Sequence, residues 1–203
     1  MPDYSREEAL GGRVAGVDEV GRGPLSGPVM AAAVVLNPAS IPAGLNDSKK
    51  LSAKKRELLY PLIMAQADVA VGIASVEEID EINILQASHL AMRRAIEGLQ
   101  GLDHLLIDGN LLPKGLTCEA TAVIGGDAKS LSIAAASIVA KIRRDRLMVD
   151  LAQQHPGYGW ETNMGYGSKS HMLALKTLGP TPHHRRSFKP VHNMLYQGKN
   201  SNS

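Results

Sequence analysis

Four acidic residues occur where a carboxylate is costly, inside or at the ends of apolar stretches: Asp18, Glu19, Asp108 and Asp127. The first two interrupt an apolar run near the N-terminus, the third ends a second run, and the fourth follows two glycines. Each alone could cap a turn or a helix N-terminus, as Asp127 would ahead of the helix predicted from Ser130. Together, acids at the edges of apolar strands would repel one another unless a cation lies among them. A set of oxygen donors favours Mg²⁺ or Mn²⁺ over Zn²⁺.

Other kinds of reactive site find no support in the sequence. It contains no His-x-x-x-His or Cys-x-x-Cys spacing that would suggest zinc, no Gly-x-Ser-x-Gly turn and no nucleotide-binding P-loop. His183 and His184 lie in a basic segment with Arg185 and Arg186. That setting favours contact with phosphate over metal binding at the two histidines.

The distribution of charge is more informative than its total. The chain has 22 Lys and Arg against 20 Asp and Glu, a net charge of +2. Residues 140–203 contain ten basic and three acidic residues, a local charge of +7, so the remainder is acidic. A basic C-terminal third suggests an anionic ligand, although solvated helix faces account equally well for about half of those charges.

Compartment is inferred from the cysteine count and from the apolar runs. Cys118 is the only cysteine, so no internal disulfide can form, and no secretory leader opens the chain. The longest apolar runs, 28–36 and 131–140, are well short of the ~20 residues that a bilayer span needs. We therefore expect a cytoplasmic protein without a membrane contact.

The elements that must position the four acids form an α/β pattern. Strands are predicted over 14–20, 28–36, 69–76, 104–108 and 119–124, and helices over 53–66, 84–99, 130–154 and 169–178. This order predicts a mixed β-sheet flanked by helices, with a small helical C-terminal appendage. Because neighbouring strand residues point to opposite faces, Asp18 and Glu19 require a bulge, a strand end or a turn to reach one site.

Several blocks of the sequence resemble one family. The block DEVGRGPLSGPV at 18–29 closely resembles the opening signature of bacterial ribonuclease HII. Further blocks follow in the family's order, at 47–52 (DSKKLS), 107–110 (IDGN), 126–129 (GDAK), 132–141 (SIAAASIVAK) and 184–188 (HRRSF). The resemblance extends from Val14 to Val191, nearly the whole chain, and the DEVGRGP block is highly specific.

The resemblance implies a ribonuclease H-like fold and an endonuclease that cuts the RNA strand of RNA/DNA hybrids. It also implies cleavage on the 5′ side of single ribonucleotides embedded in duplex DNA, and so a role in ribonucleotide excision repair. Two Mg²⁺ or Mn²⁺ ions would clamp the scissile phosphate, giving 5′-phosphate and 3′-hydroxyl ends. The family's catalytic, metal-binding acids correspond to Asp18, Glu19, Asp108 and Asp127.

The same resemblance assigns a nucleic-acid surface. The Gly21, Arg22 and Gly23 backbone would meet the ribose 2′-OH, and Tyr166 would pack on the sugar at the RNA–DNA junction. Backbone phosphates would be held by Lys49, Lys50, Arg185 and Arg186. One departure from the family is Met164, where a lysine is usual, so one phosphate contact on the junction side is lost.

We predict four segments: an N-terminal extension (1–13), the catalytic domain (14–155), a helical substrate-binding segment (156–197) and a disordered tail (198–203). The chain is expected to act as a monomer. Two other classes of function stay open. One is a hybrid-binding module without turnover, which gains nothing from four carboxylates beside a polyanion. The other is a different metal-dependent phosphotransferase, which the family blocks do not favour.

Overall fold

The computed structural model describes residues 1–196 and has a five-stranded sheet with helices. The strands are β1 (Val14–Val20), β2 (Val29–Leu36), β3 (Ala67–Ala74), β4 (His104–Asp108) and β5 (Glu119–Val123). The helices are α1 (Ser5–Leu10), α2 (Ala53–Gln66), α3 (Val76–Glu97), α4 (Leu131–Gln154), α5 (Trp160–Asn163), α6 (Lys169–Leu178) and α7 (Lys189–Tyr196). Among the described residues no helix has the length and apolar character needed to cross a membrane. The α/β class predicted from the sequence is confirmed.

The sheet is mixed, in the order β3-β2-β1-β4-β5. Strand β1 is antiparallel to β2 and parallel to β4, and β4 is parallel to β5. In the β1–β4 register Val17 lies opposite Ile107, so the next residue of each strand reaches the same edge of the sheet. Those next residues are Asp18 and Asp108.

Helix α3 begins earlier than its apolar periodicity predicts. Asn83 interrupts the helix with φ 67°, and its side-chain oxygen accepts the N–H groups of Leu85 (3.0 Å) and Gln86 (3.2 Å). Asn83 therefore caps a second helical segment, which is the part that the periodicity predicted from Ile84. The short helices α1, α5 and α7 were not predicted, because one or two turns carry too little periodic pattern.

The chain forms two compact units. Unit 1 comprises residues 1–20, 30–73 and 88–142, and unit 2 comprises residues 21–29, 74–87 and those from 143 onward. Residues 143–155, predicted as part of the catalytic domain, thus cluster with the C-terminal residues. The predicted tail, 198–203, lies outside the described residues.

The N-terminal residues are an integral part of unit 1. Glu7 is 2% exposed, and its Oε1 accepts the N–H of Ser132 (2.9 Å) and the hydroxyl of Ser130 (2.7 Å). The N–H of Leu131 donates to the carbonyl of Asp3 at 3.1 Å. These contacts satisfy donors at the start of α4 and hold the N-terminal segment against it.

Candidate active site

Three acidic residues of unit 1, Asp18, Asp108 and Asp127, lie at the edge of the sheet where β1 and β4 end. Asp18 is 6% exposed at that edge, and Asp108 is half-buried. Oδ1 of Asp108 accepts the N–H of Gly126 at 2.6 Å, in the 3-10 turn over Gly126–Ala128. Because that turn contains Asp127, the hydrogen bond brings a third acid beside the strand ends.

Helix α4 lies directly on β1 because Gly16 has no side chain. A Cβ at this position would lie 2.1 Å from the backbone carbon of Ser132. One turn further along α4, the buried hydroxyl of Ser137 is hydrogen bonded to the Asp18 carboxylate and to the Ser48 hydroxyl, 2.8 Å away. Ser137 was missed in the sequence, where its only signal is a small polar residue within an apolar helix.

The electrostatics of the cluster is that of crowded carboxylates. Burial raises the pKa of Asp18 well above its ordinary value, and the charges of Glu19, Asp108 and Asp127 raise it further, against the Ser137 hydrogen bond. The pKa of Asp127 is also raised, first by burial and then by neighbouring acids. A cation bound among these groups would favour the charged carboxylates and so offset the rise in the pKa of both Asp18 and Asp127.

Asp47 is a fifth acid in this cluster that sequence reasoning did not select. Its carboxylate is hydrogen bonded to Asp127 and accepts the N–H of Lys49 at 2.9 Å. Burial opposes protonation of Lys49, but the summed charges of nearby acids, Asp18 and Asp127 first, raise its pKa. Lys49 therefore stays positively charged beside the carboxylates. The 47–50 turn thus supplies both a carboxylate, that of Asp47, and an ammonium group, that of Lys49.

Glu19 does not reach the cluster through a bulge. The β1–β2 register runs regularly through Asp18 and Glu19 to Val20, so the two side chains leave opposite faces of the strand. The strand ends one residue later, and Gly21 has φ +93°. The sequence suggested three features that could bring Asp18 and Glu19 to one site: a bulge, a strand end or a turn. The strand end and the glycine turn are present, and the bulge is not.

Within residues 1–196, no three acidic, histidine or cysteine side chains are already grouped as metal donors. The chemistry of the cluster nevertheless fits a hard divalent ion. Its donors are all oxygens, and Asp18 is a buried carboxylate whose raised pKa results from burial and from other carboxylates.

Two buried arginines in unit 2 hold the loop from Gly21 to Pro28. Arg185 donates to the carbonyls of Gly27 (2.9 and 2.8 Å), Arg22 (2.9 Å) and Gly21 (2.5 Å). Arg144 donates to three further carbonyls, at 3.0–3.1 Å: Pro28, Ser26 and Met164. Burial lowers the pKa of Arg185 to about 9 and that of Arg144 to about 10, so both remain charged at neutral pH.

The prediction that Arg185 contacts a phosphate is wrong for this structure. Arg185 is 0% exposed, and each of its three guanidinium nitrogens donates to a backbone carbonyl. His184 is likewise buried, at 1% exposure, rather than turned toward phosphate. Arg186 is exposed, as are Lys49 and Lys50. For these three, contact with phosphate stays a prediction.

Tyr166 lies against the glycine loop within unit 2. It is about half exposed (49%), and its Cε1 lies 3.3 Å from where a Cβ on Gly23 would be. The N–H of Leu25 donates to the carbonyl of Gly165 at 2.8 Å, which ties the two segments together. Met164, the departure from the resemblance, adopts φ 51° and packs its side chain on the apolar cluster that contains Trp160.

Comparisons with known proteins give one consistent result. The family model described as Ribonuclease HII matches residues 15–191. The ribonuclease HII of Roseobacter denitrificans is 68% identical over 194 residues, covering 95% of this chain and 98% of that protein. The ribonuclease HII of Ruegeria pomeroyi is 67% identical over 202 residues, covering 97% and 86%. Among solved structures, ribonuclease H2 of Pyrococcus horikoshii superimposes with a TM-score of 0.73 at 28% identity, covering 93% of this chain and 100% of that one.

Proposed function

The chain belongs to the ribonuclease HII family, and on that premise we propose that it cuts duplex DNA on the 5′ side of single embedded ribonucleotides as well as cutting RNA/DNA hybrids. It is a ribonuclease H, a hydrolase and endonuclease that acts on RNA/DNA substrates. Its family depends on divalent metal ions. We propose three further points: the cleavage at embedded ribonucleotides, the residues that bind the metal ions, and the mechanism with two metal ions.

The observation that carries the proposal is the carboxylate cluster at the ends of β1 and β4. We assign Asp18, Glu19, Asp108 and Asp127 as metal ligands, because Asp18 is buried among the charges of the other three. Bound Mg²⁺ or Mn²⁺ would activate the attacking water and stabilise the leaving 3′ oxygen, giving 5′-phosphate and 3′-hydroxyl ends. Lys49 supplies a fixed positive charge beside these acids and contacts a phosphate of the substrate.

Recognition of the ribonucleotide is assigned to the Gly21–Gly23 backbone and to Tyr166. Gly21 follows β1 directly, so the loop begins two residues after Glu19. The loop backbone is held by two buried arginines and meets the 2′-OH, which is the group that distinguishes RNA from DNA. The Tyr166 ring packs on the next sugar, where a second 2′-OH would crowd it.

The test of this function is a cleavage assay on three duplexes: a DNA duplex with one ribonucleotide, a long RNA/DNA hybrid and an all-DNA duplex. With Mg²⁺ or Mn²⁺ the first two are cut and the third is not, and a chelator stops both reactions. Sequencing of the product ends places the cut on the 5′ side of the ribonucleotide. Cleavage of the hybrid alone would refute the embedded-ribonucleotide proposal, and binding without cleavage would indicate a hybrid-binding module.

Replacing Tyr166 by alanine is expected to lower kcat/KM on the single-ribonucleotide duplex by more than about tenfold, and on the long hybrid by much less. The junction is the only feature that marks a single ribonucleotide, whereas a hybrid is contacted along its length. Tyr166→Phe should keep most of the activity, because the ring is retained and the hydroxyl contributes only ~1 kcal/mol. An equal loss on both substrates together with a lower melting temperature would instead mean that Tyr166 is structural.

Replacing Arg186 by methionine is expected to weaken binding of every duplex alike. One lost phosphate contact should reduce the slope of log K against log salt by about one unit. Fluorescence anisotropy between low and moderate salt measures that slope. An unchanged slope would remove Arg186 from the nucleic-acid surface. Its backbone N–H, held by Asp80 at 2.9 Å, is untouched by the substitution.

A further inference from the structure

We propose that His171, with His184 behind it, is a positioning residue that fixes Tyr166 relative to the glycine loop and thereby sets the preference for single embedded ribonucleotides. The inference rests on the role proposed above for Tyr166. Neither histidine touches the substrate. Each acts through the backbone of a segment that does.

The hydrogen bonds leave only one assignment of protons. The N–H of Thr181 donates to Nδ1 of His184 at 2.9 Å, so Nδ1 is an acceptor and Nε2 carries the proton. His184 Nε2 then donates to Nε2 of His171 at 3.1 Å, an atom that also accepts the indole N–H of Trp160 at 3.1 Å. Nδ1 of His171 must therefore carry its proton, and it donates to the carbonyl of Tyr166 at 2.8 Å.

The pair lies in the aromatic interior of unit 2. His171 is 0% exposed and His184 is 1% exposed, beside the stacked rings of Tyr158 and Trp160. Burial lowers the pKa of both histidines, and that of His184 to about 4, so both are neutral at neutral pH. A second proton on His171, at Nε2, would break the contact between the two Nε2 atoms. A second proton on His184, at Nδ1, would face the Thr181 N–H and break that bond instead.

The far end of this chain of hydrogen bonds is attached to the glycine loop. His184 forms an antiparallel bridge with Ser26, in which the Arg185 N–H donates to Leu25 (2.8 Å) and the Gly27 N–H donates to His183 (2.9 Å). His184 is thus held to the loop by its backbone and to the Tyr166 segment through His171. The two segments that we assign to the ribonucleotide and to the junction sugar are therefore linked through this buried pair of rings, in addition to the bond between the Leu25 N–H and the Gly165 carbonyl.

Two substitutions separate the two bonds of His171. Asparagine places its amide nitrogen near the position of Nδ1, so His171→Asn keeps the bond to the Tyr166 carbonyl and loses the contact with His184. Glutamine reaches the position of Nε2, so His171→Gln keeps that contact and loses the bond to Tyr166. We expect His171→Gln to lower the ratio of kcat/KM on the single-ribonucleotide duplex to that on the long hybrid by about five- to tenfold, as for one lost hydrogen bond. His171→Asn should change the ratio by less than about twofold.

The outcomes are distinguishable. Equal losses on both substrates for the two variants, in proportion to their melting temperatures, would overturn the positioning role and leave His171 structural. Tyr166→Ala is measured alongside. If it leaves the ratio unchanged, the proposed function of Tyr166 fails, and this inference fails with it. If it lowers the ratio while His171→Gln does not, only the inference fails.

A measurement on the unmodified protein keeps the inference testable if a variant does not fold. Side-chain ¹⁵N NMR at neutral pH should show His171 protonated at Nδ1 and His184 protonated at Nε2. The opposite tautomer at His171 would mean that no hydrogen bond reaches the Tyr166 carbonyl. That result would overturn the inference.

Discussion

Replacing Asp108 by asparagine is expected to abolish cleavage while leaving the fold and the binding of hybrid almost unchanged. The amide oxygen of asparagine can still accept the Gly126 N–H, which Oδ1 of Asp108 accepts at 2.6 Å, so the turn that contains Asp127 keeps its position. The substitution replaces a negatively charged carboxylate, which would bind a divalent ion, by a neutral amide. We expect kcat to fall by at least ~10³-fold, equivalent to about 4 kcal/mol in the barrier. Affinity for hybrid should stay within about tenfold, because phosphate contacts dominate binding.

A matched control lies on the neighbouring strand. Glu119 begins β5, is paired in register with His104, and its side chain is 90% exposed. Glu119→Gln removes one negative charge from the same sheet and should leave turnover unchanged. Single-turnover cleavage in Mg²⁺ and in Mn²⁺, with binding measured in Ca²⁺, makes the comparison. Near-normal turnover by Asp108→Asn would remove Asp108 from the ligand set.

The acids at the sheet edge were predictable from the sequence because each contradicts its surroundings. A carboxylate inside an apolar strand is costly, so Asp18 and Asp108 stand out from a single sequence without any alignment. Asp47 belongs to the same cluster but lies in a polar turn with lysines, where an acid is ordinary. Its membership depends on the folding of the 47–50 turn against Asp127, which no local pattern records.

Arg185 and Arg186 show what a sequence leaves open. The two residues are adjacent, identical in type and part of one basic segment, so composition assigns them the same role. The backbone bridge at His184 turns Arg185 toward the interior of unit 2 and leaves Arg186 exposed. Which of two neighbours is buried depends on a long-range pairing with the loop near Ser26, more than 150 residues away in the sequence.

Replacing Arg185 by methionine is expected to cost stability and activity together. Methionine roughly fills the volume of the arginine stem but leaves the buried carbonyls of Gly21 and Gly27, and the more exposed carbonyl of Arg22, without the donor that now bonds them at 2.5–2.9 Å. Each unsatisfied buried carbonyl costs ~1–3 kcal/mol, so we expect about 3–5 kcal/mol in all. The melting temperature should fall by roughly 10 °C. Since the freed loop is the one assigned to the 2′-OH, kcat/KM should fall by more than about tenfold on hybrid and single-ribonucleotide duplex alike.

Arg186→Met is the natural control, because it removes the same charge one residue further along. The two variants should behave in opposite ways: Arg186→Met reduces the salt slope of binding and leaves the melting temperature within a few degrees, whereas Arg185→Met lowers the melting temperature and keeps the slope. Arg185→Lys should recover little, because an ammonium group cannot reproduce the fork that reaches three carbonyls. A reduced salt slope with unchanged stability in Arg185→Met would mean that its guanidinium binds phosphate. The loop would then be held in place without it.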